Sequence, residues 1–101
     1  MYKIPIKVKI ALIKLGKDLK DARIRRRIKM SIQSERAGIS RTTLGKIEKG
    51  DPGVSIACYA LVMFAMGMEN RLREIVDANT DITGRTLEEE SLPQRVRFKK
   101  R

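Results

Sequence analysis

Between residues 30 and 53 the chain reads MSIQSERAGISRTTLGKIEKGDPG, and this stretch limits the fold more than any other. It fits two short helices joined by a tight turn. On the first helix, Ile32 and Ala37 are expected to face inward. Gly38 follows, where the chain must turn with φ > 0. Ser40 stands in the N-cap position, its hydroxyl free to accept an amide proton from the next turn. The spacing predicts a second helix from 41 to about 49, with Leu44 and Ile47 inward and Gly50 closing it.

Arg41, Thr42, Gly45 and Lys46 are then left on the outer face of the second helix. This is the geometry of a helix-turn-helix, whose second helix lies in the major groove of DNA. Arg41 has two donors for the O6 and N7 of guanine. Lys46 reaches guanine acceptors or a phosphate, and Thr42 a base edge or a thymine methyl. Gly45 carries no side chain, so the backbone is able to approach a duplex closely. The bland alternative is a plain helical hairpin in a small bundle.

The segment ERAGISRTTLGKIEKGDPGVS resembles the DNA-binding core of the Cro/repressor (XRE-type) family, and more narrowly that of HipB-like antitoxin regulators. The helix-turn-helix match covers residues 30–47, and with its flanking helices roughly 12–77. Gly38, Ile39, Leu44, Ile47, Glu48 and Gly50 stand where the family pattern has them. Met30 departs from it, replacing the Gln that usually clamps a phosphate. Gln33 stands where an apolar residue is usual, and Ser34 where Ala is usual. Gln33 therefore either weakens the core or turns outward. The resemblance implies an all-α, five-helix, lambda-repressor-like domain. It also implies a repressor that binds operator DNA as a dimer, with a HipA-like kinase toxin as partner.

Charge agrees with a polyanionic partner. Residues 1–50 hold 15 Lys/Arg against 4 Asp/Glu, residues 51–92 hold 3 against 8, and residues 93–101 hold 5 against none. The first half alone thus accounts for a balance equal to the net +11. So one-sided a field draws in polyanions and speeds their association. On its own it would equally suit a membrane surface or ribosomal RNA. The densest cluster, RIRRRIK, lies at the end of an expected first helix, where cations also offset the macrodipole. Arg25, Arg26, Arg27 and Lys29 are candidates for contact with the DNA backbone. Ser31, Ser40, Thr43 and Lys49 complete the expected phosphate set.

The remaining elements follow from periodicity. YKIPIKVKI alternates like a strand, yet Val8, Leu12, Leu15, Leu19 and Ala22 recur with helical spacing. The reading adopted is an N-terminal arm over 1–6 and a helix over 7–27. Gly16 costs that helix about 1 kcal/mol against Ala and is a place for a kink or break. Ser55 caps a fourth helix, SIACYALVMFAM, which is apolar all round and needs a second partner for its spare face. A fifth helix over 69–77 would turn Leu72, Ile75 and Val76 inward. The helix-turn-helix domain then spans 7–77, leaving 78–101 as a C-terminal basic tail for partner binding or dimerisation. In that tail Val96 and Phe98 alternate with Arg and Lys like a small edge strand; the alternative is a disordered tail. With its surplus apolar surface the chain is expected to form a homodimer, held by helix surfaces in 55–77. The tail would add to that interface by pairing with its mate or with the arm over 2–6.

Little else carries chemistry. The single Cys58 lies in an apolar run and reads as a small buried thiol. That run is 11 residues long, short of the ~20 that cross a bilayer. Lysines interrupt any apolar stretch at the N-terminus, so no secretory signal is read there. A cytoplasmic, nucleoid-associated protein is expected. There is no His, and the Gly38–Lys46 spacing is not a Walker loop. Glu88, Glu89 and Glu90 read as a solvated run. No enzyme, cofactor or metal is expected. Competing readings are a stand-alone Cro/repressor-type regulator without a toxin, a basic RNA-binding protein, and a pure interaction module.

Overall fold

The computed structural model describes residues 3–99, and the side chains of 3–91. The described residues form six α-helices in the order α1 (Ile6–Arg25), α2 (Met30–Ala37), α3 (Arg41–Glu48), α4 (Ile56–Ala65), α5 (Glu69–Arg73) and α6 (Ile82–Lys99). A single 3-10 turn, Ala78–Thr80, precedes α6. Among the described residues there is no strand, so the all-α expectation holds with one helix more than expected. None of these helices is long and apolar enough to cross a membrane. Two compact units result, Met1–Glu69 and Asn70–Arg101.

The first unit is built on a core of Leu19, Ala22, Ala37, Leu44, Ile47, Tyr59, Val62 and Met63. In it α1 packs on α3, and α2 on both α3 and α4. Pro5 stands at the head of α1, where its fixed φ and missing amide proton do no harm, and its carbonyl accepts from Val8 and Lys9. Helix α1 runs unbroken through Gly16, and the reason is tertiary. A Cβ on Gly16 would lie 2.5 Å from the Gly50 nitrogen and 2.5 Å from the Ile47 carbonyl oxygen. The glycine that looked like a weak point is where α1 meets the end of α3.

Helix α2 buries Gln33, Ser34 and Ala37, whereas Ile32 is 38% exposed. The expectation that Ile32 points inward with Ala37 was wrong: five residues apart, the two lie about 140° round a helix at 3.6 residues per turn. Gln33 instead takes the inward position, fully buried, and neither its amide nitrogen nor its oxygen has a hydrogen-bond partner. A buried amide without partners costs about 1–3 kcal/mol. Gln33→Leu, which fills similar space without polar atoms, is therefore expected to raise stability by about that amount in urea unfolding. An unchanged midpoint would mean that a water satisfies the amide.

Helix α4 is capped as expected, with the Ser55 hydroxyl accepting from the Cys58 amide at 3.3 Å. Its Tyr59, Val62 and Met63 are buried, while Ile56, Leu61 and Phe64 remain exposed. The Tyr59 hydroxyl donates to the Asp51 carbonyl at 2.8 Å, closing the loop after α3. Burial, with the nearby Asp51 charge, raises the Tyr59 pKa above its usual value. Cys58 is half-buried rather than buried.

The second unit differs from expectation. Helix α5 stops at Arg73, and Ile75 and Val76 are exposed rather than inward. The Asp77 carboxylate accepts from the Asn79 amide, and Asp81 caps α6 by accepting from Gly84. The tail is a helix to Lys99, neither a strand nor disordered over that span. An edge strand needs a sheet to pair with, and the described residues supply none; Leu, Glu, Gln and Arg also favour helix. Among residues 70–91 no side chain is buried. The side chains of 92–99, and residues 1, 2, 100 and 101, lie outside the described residues. The proposed pairing of arm and tail falls partly on them.

Candidate functional site

The α2–α3 connection is fixed by local chemistry. Gly38 adopts φ 73° at the end of α2, and its amide donates to the Glu35 carbonyl at 3.1 Å. That backbone region suits glycine because a Cβ would be strained there. Ser40 then caps α3: its hydroxyl oxygen accepts from the Thr43 amide at 3.0 Å and donates to the Thr43 hydroxyl oxygen at 2.9 Å. The two hydroxyls therefore serve the helix end first. Any phosphate contact through Ser40 or Thr43 would have to share them.

Helix α3 divides cleanly. Leu44 and Ile47 are fully buried, and Glu48 is 9% exposed. Arg41, Thr42 and Lys46 are exposed and Gly45 half-exposed, on an arc centred about 140° from the buried side with Arg41 at its near edge. Nothing lies within 4 Å of where a Gly45 Cβ would be, so the backbone there is open to an approaching molecule. Among the expected base-contacting residues, all four share this outer side.

What holds α3 in place is a pair that sequence reasoning missed. Arg23 and Glu48 form a two-pronged ion pair, Nε to Oε2 at 2.7 Å and Nη2 to Oε1 at 3.1 Å. Both side chains are more than nine-tenths buried. The remaining Arg23 nitrogen, Nη1, donates to the Ile28 carbonyl at 2.9 Å. One guanidinium thus ties together α1, the α1–α2 loop and α3. The sequence did carry a signal: Arg23 continues the apolar stripe of Leu15, Leu19 and Ala22 at helical spacing, and Leu19 and Ala22 are buried. It went unread because it sits inside the dense basic cluster.

Residues 22–50 contain nine Lys/Arg and two Glu, and Glu48 is consumed inside the core. Only Glu35 is left to oppose the exposed cations of this segment, so the surface is strongly positive. Arg25 ends α1, and Arg26 turns back so that Nη1 donates to the Ala22 carbonyl at 3.1 Å. Arg26 therefore caps its own helix, as cations at a C-terminus do. Arg27 has φ 55°, a left-handed conformation unusual for a residue with a Cβ. Lys29 is the N-cap residue of α2, with no side-chain cap hydrogen bond. Ser31 and Lys49 are exposed. The first bonded amides of α2 are those of Ile32 and Gln33, both to the Lys29 carbonyl, so the amides at 30 and 31 lie at the free helix end.

Arg26, Arg27 and Lys29 come together around one open cavity with Arg36, Ile28, Ile32, Ala65 and Met66. Arg25 and the α3 residues do not line it. Among the described residues no group of acidic or Cys side chains is arranged to hold a metal ion. No protein-family model matches this sequence, and neither a curated protein nor a solved structure matches it.

Proposed function

We propose that this chain is a sequence-specific DNA-binding repressor of the Cro/repressor helix-turn-helix kind, reading the major groove with α3. The observation that carries the reading is the division of α3. An eight-residue helix is held from behind by Leu44, Ile47 and the Arg23–Glu48 pair, and presents Arg41, Thr42, Gly45 and Lys46 outward. A short helix fixed this firmly, with cations and an open glycine on its free side, suits readout of base edges. The exposed Arg25, Arg27, Lys29 and Lys49 suit the phosphates on either side.

A two-fold dimer doubles these contacts and matches palindromic half-sites about one helical turn apart. The exposed Ile56, Leu61 and Phe64 of α4 support such pairing through that helix. The narrower reading, a HipB-like antitoxin that binds a HipA-like kinase and represses their shared operon, rests on the sequence resemblance. Co-purification of a kinase from the native host tests it.

The DNA reading is tested by selecting binding sites from a random duplex pool with native protein and Arg41→Ala. The native chain is expected to enrich one site over duplex RNA and single strands across a salt series. Arg41→Ala should lose about 1–3 kcal/mol on that site and relax preference at a single base pair. Equal enrichment of RNA, or an unchanged preference in the variant, would overturn the assignment.

A further inference from the structure

We infer that the cavity between the α1–α2 loop, α2 and the end of α4 is a docking groove for an acidic amphipathic helix of a partner protein. Its volume is about 660 Å³. Ile28, Ile32, Ala65 and Met66 give it an apolar lining, and Arg26, Arg27, Lys29 and Arg36 give it charge. No carboxylate lines it, and among the described residues none of the four cations has an ion-pair partner.

The occupant follows from that combination. A DNA phosphate would satisfy the cations but has nothing to lay on four apolar side chains. A small inorganic anion is far smaller than the space. A purely apolar segment would leave four desolvated cations unpaired, which costs free energy. A helix with Leu-type residues on one face and carboxylates beside them satisfies both requirements, the apolar face entering the groove and the carboxylates meeting the guanidinium groups. Arg suits this role because its planar fork takes a carboxylate through two hydrogen bonds.

The groove also has a consequence for the proposed function. Arg27 and Lys29 belong to the set assigned above to the DNA backbone, whereas Arg26, Arg36 and Ile32 do not. A partner helix seated here therefore covers cations that DNA uses, and its binding excludes operator binding. This last step rests on the DNA reading; the docking step does not.

Three fluorescein-labelled 15-residue peptides, together with anionic phospholipid vesicles, test the inference by fluorescence anisotropy and co-sedimentation with the intact protein. One peptide carries Leu at i, i+3, i+4 and i+7 with Glu elsewhere; the second is polyglutamate; the third has Lys in place of Glu. The Leu/Glu peptide is expected to bind at least about tenfold more tightly than the other two. The double variant Ile32→Ala, Arg36→Ala should weaken it by about tenfold. Circular dichroism checks that the variant is folded, and Ile32→Met with Arg36→Lys, which keeps bulk and charge, should retain most of the binding. Equal binding of polyglutamate, preference for vesicles, or an unaffected double variant would each overturn the docking site. Separately, operator DNA should displace the Leu/Glu peptide, while the double variant retains operator affinity within about twofold. Peptide binding without displacement by DNA would leave the groove standing and refute its link to operator binding.

Discussion

Replacing Glu48 with alanine is expected to lower the unfolding free energy by about 3–5 kcal/mol, as much as truncating a fully buried core residue. The variant leaves the Arg23 guanidinium more than nine-tenths buried without its carboxylate. A domain of this size has about 5–15 kcal/mol of stability in all, so the loss is a substantial fraction of the total. The expected result is not a measure of how much the pair stabilises the fold. Replacing both partners together, Arg23→Met with Glu48→Leu, should restore stability to near the native value or above it, because neither buried charge then needs a partner. The double variant should still lose some order in the α1–α2 loop, since the Ile28 carbonyl no longer receives the Arg23 Nη1 proton. Urea unfolding of the four-member cycle measures all of this. A Glu48→Ala variant within about 1 kcal/mol of native would show that the pair is solvated and does not anchor α3.

The second large effect lies where α1 crosses the end of α3. Gly50 has φ 76°, and a Cβ there would lie 2.5 Å from the Leu12 carbonyl carbon and 2.6 Å from the Ile13 Cα. These neighbours are backbone atoms of a helix, so they cannot rotate away. Gly50→Ala is expected to cost about 2–4 kcal/mol from the combined strain and overpacking. Gly16→Ala is the more discriminating test. In an isolated helix the change stabilises by about 1 kcal/mol. Here the new methyl group would press on Gly50 and Ile47 backbone at 2.5 Å, and the expected sign is reversed. Thermal unfolding of Gly16→Ala decides the matter by sign alone: a raised midpoint would mean that α1 does not meet α3 at this point. Both variants should also weaken any ligand of the outer α3 face, since the helix can only tilt to relieve the clash.

Much of the candidate site could be read in the chain itself, because the interactions that set it are local. A glycine at the end of α2, a serine three residues before the amide it accepts from, and Leu44 and Ile47 on one side of α3 each depend on neighbours within about four residues. The outward placement of Arg41, Thr42, Gly45 and Lys46 follows from that periodicity once the inner face is known. Likewise, the Ser55 cap and the all-round apolar character of α4 were plain in the sequence, and its exposed Ile56 and Phe64 are the direct result.

Packing decided the rest. Whether Gly16 weakens α1 or admits α3 depends on a residue 34 positions away, Gly50, which no local rule connects to it. Arg23 looked like one more cation until Glu48 was brought against it from 25 residues further on. Ile32 lost its expected inward place, and Gln33, whose side the sequence left open, was buried, because α2 turns the face of Gln33, Ser34 and Ala37 toward α3 and α4, whatever the polarity of the side chain there. In the tail, two apolar residues in alternation suggested a strand, but strand formation is a property of a partner sheet and helix formation is not. With no sheet among the described residues, the backbone hydrogen bonds of α6 close within its own helix.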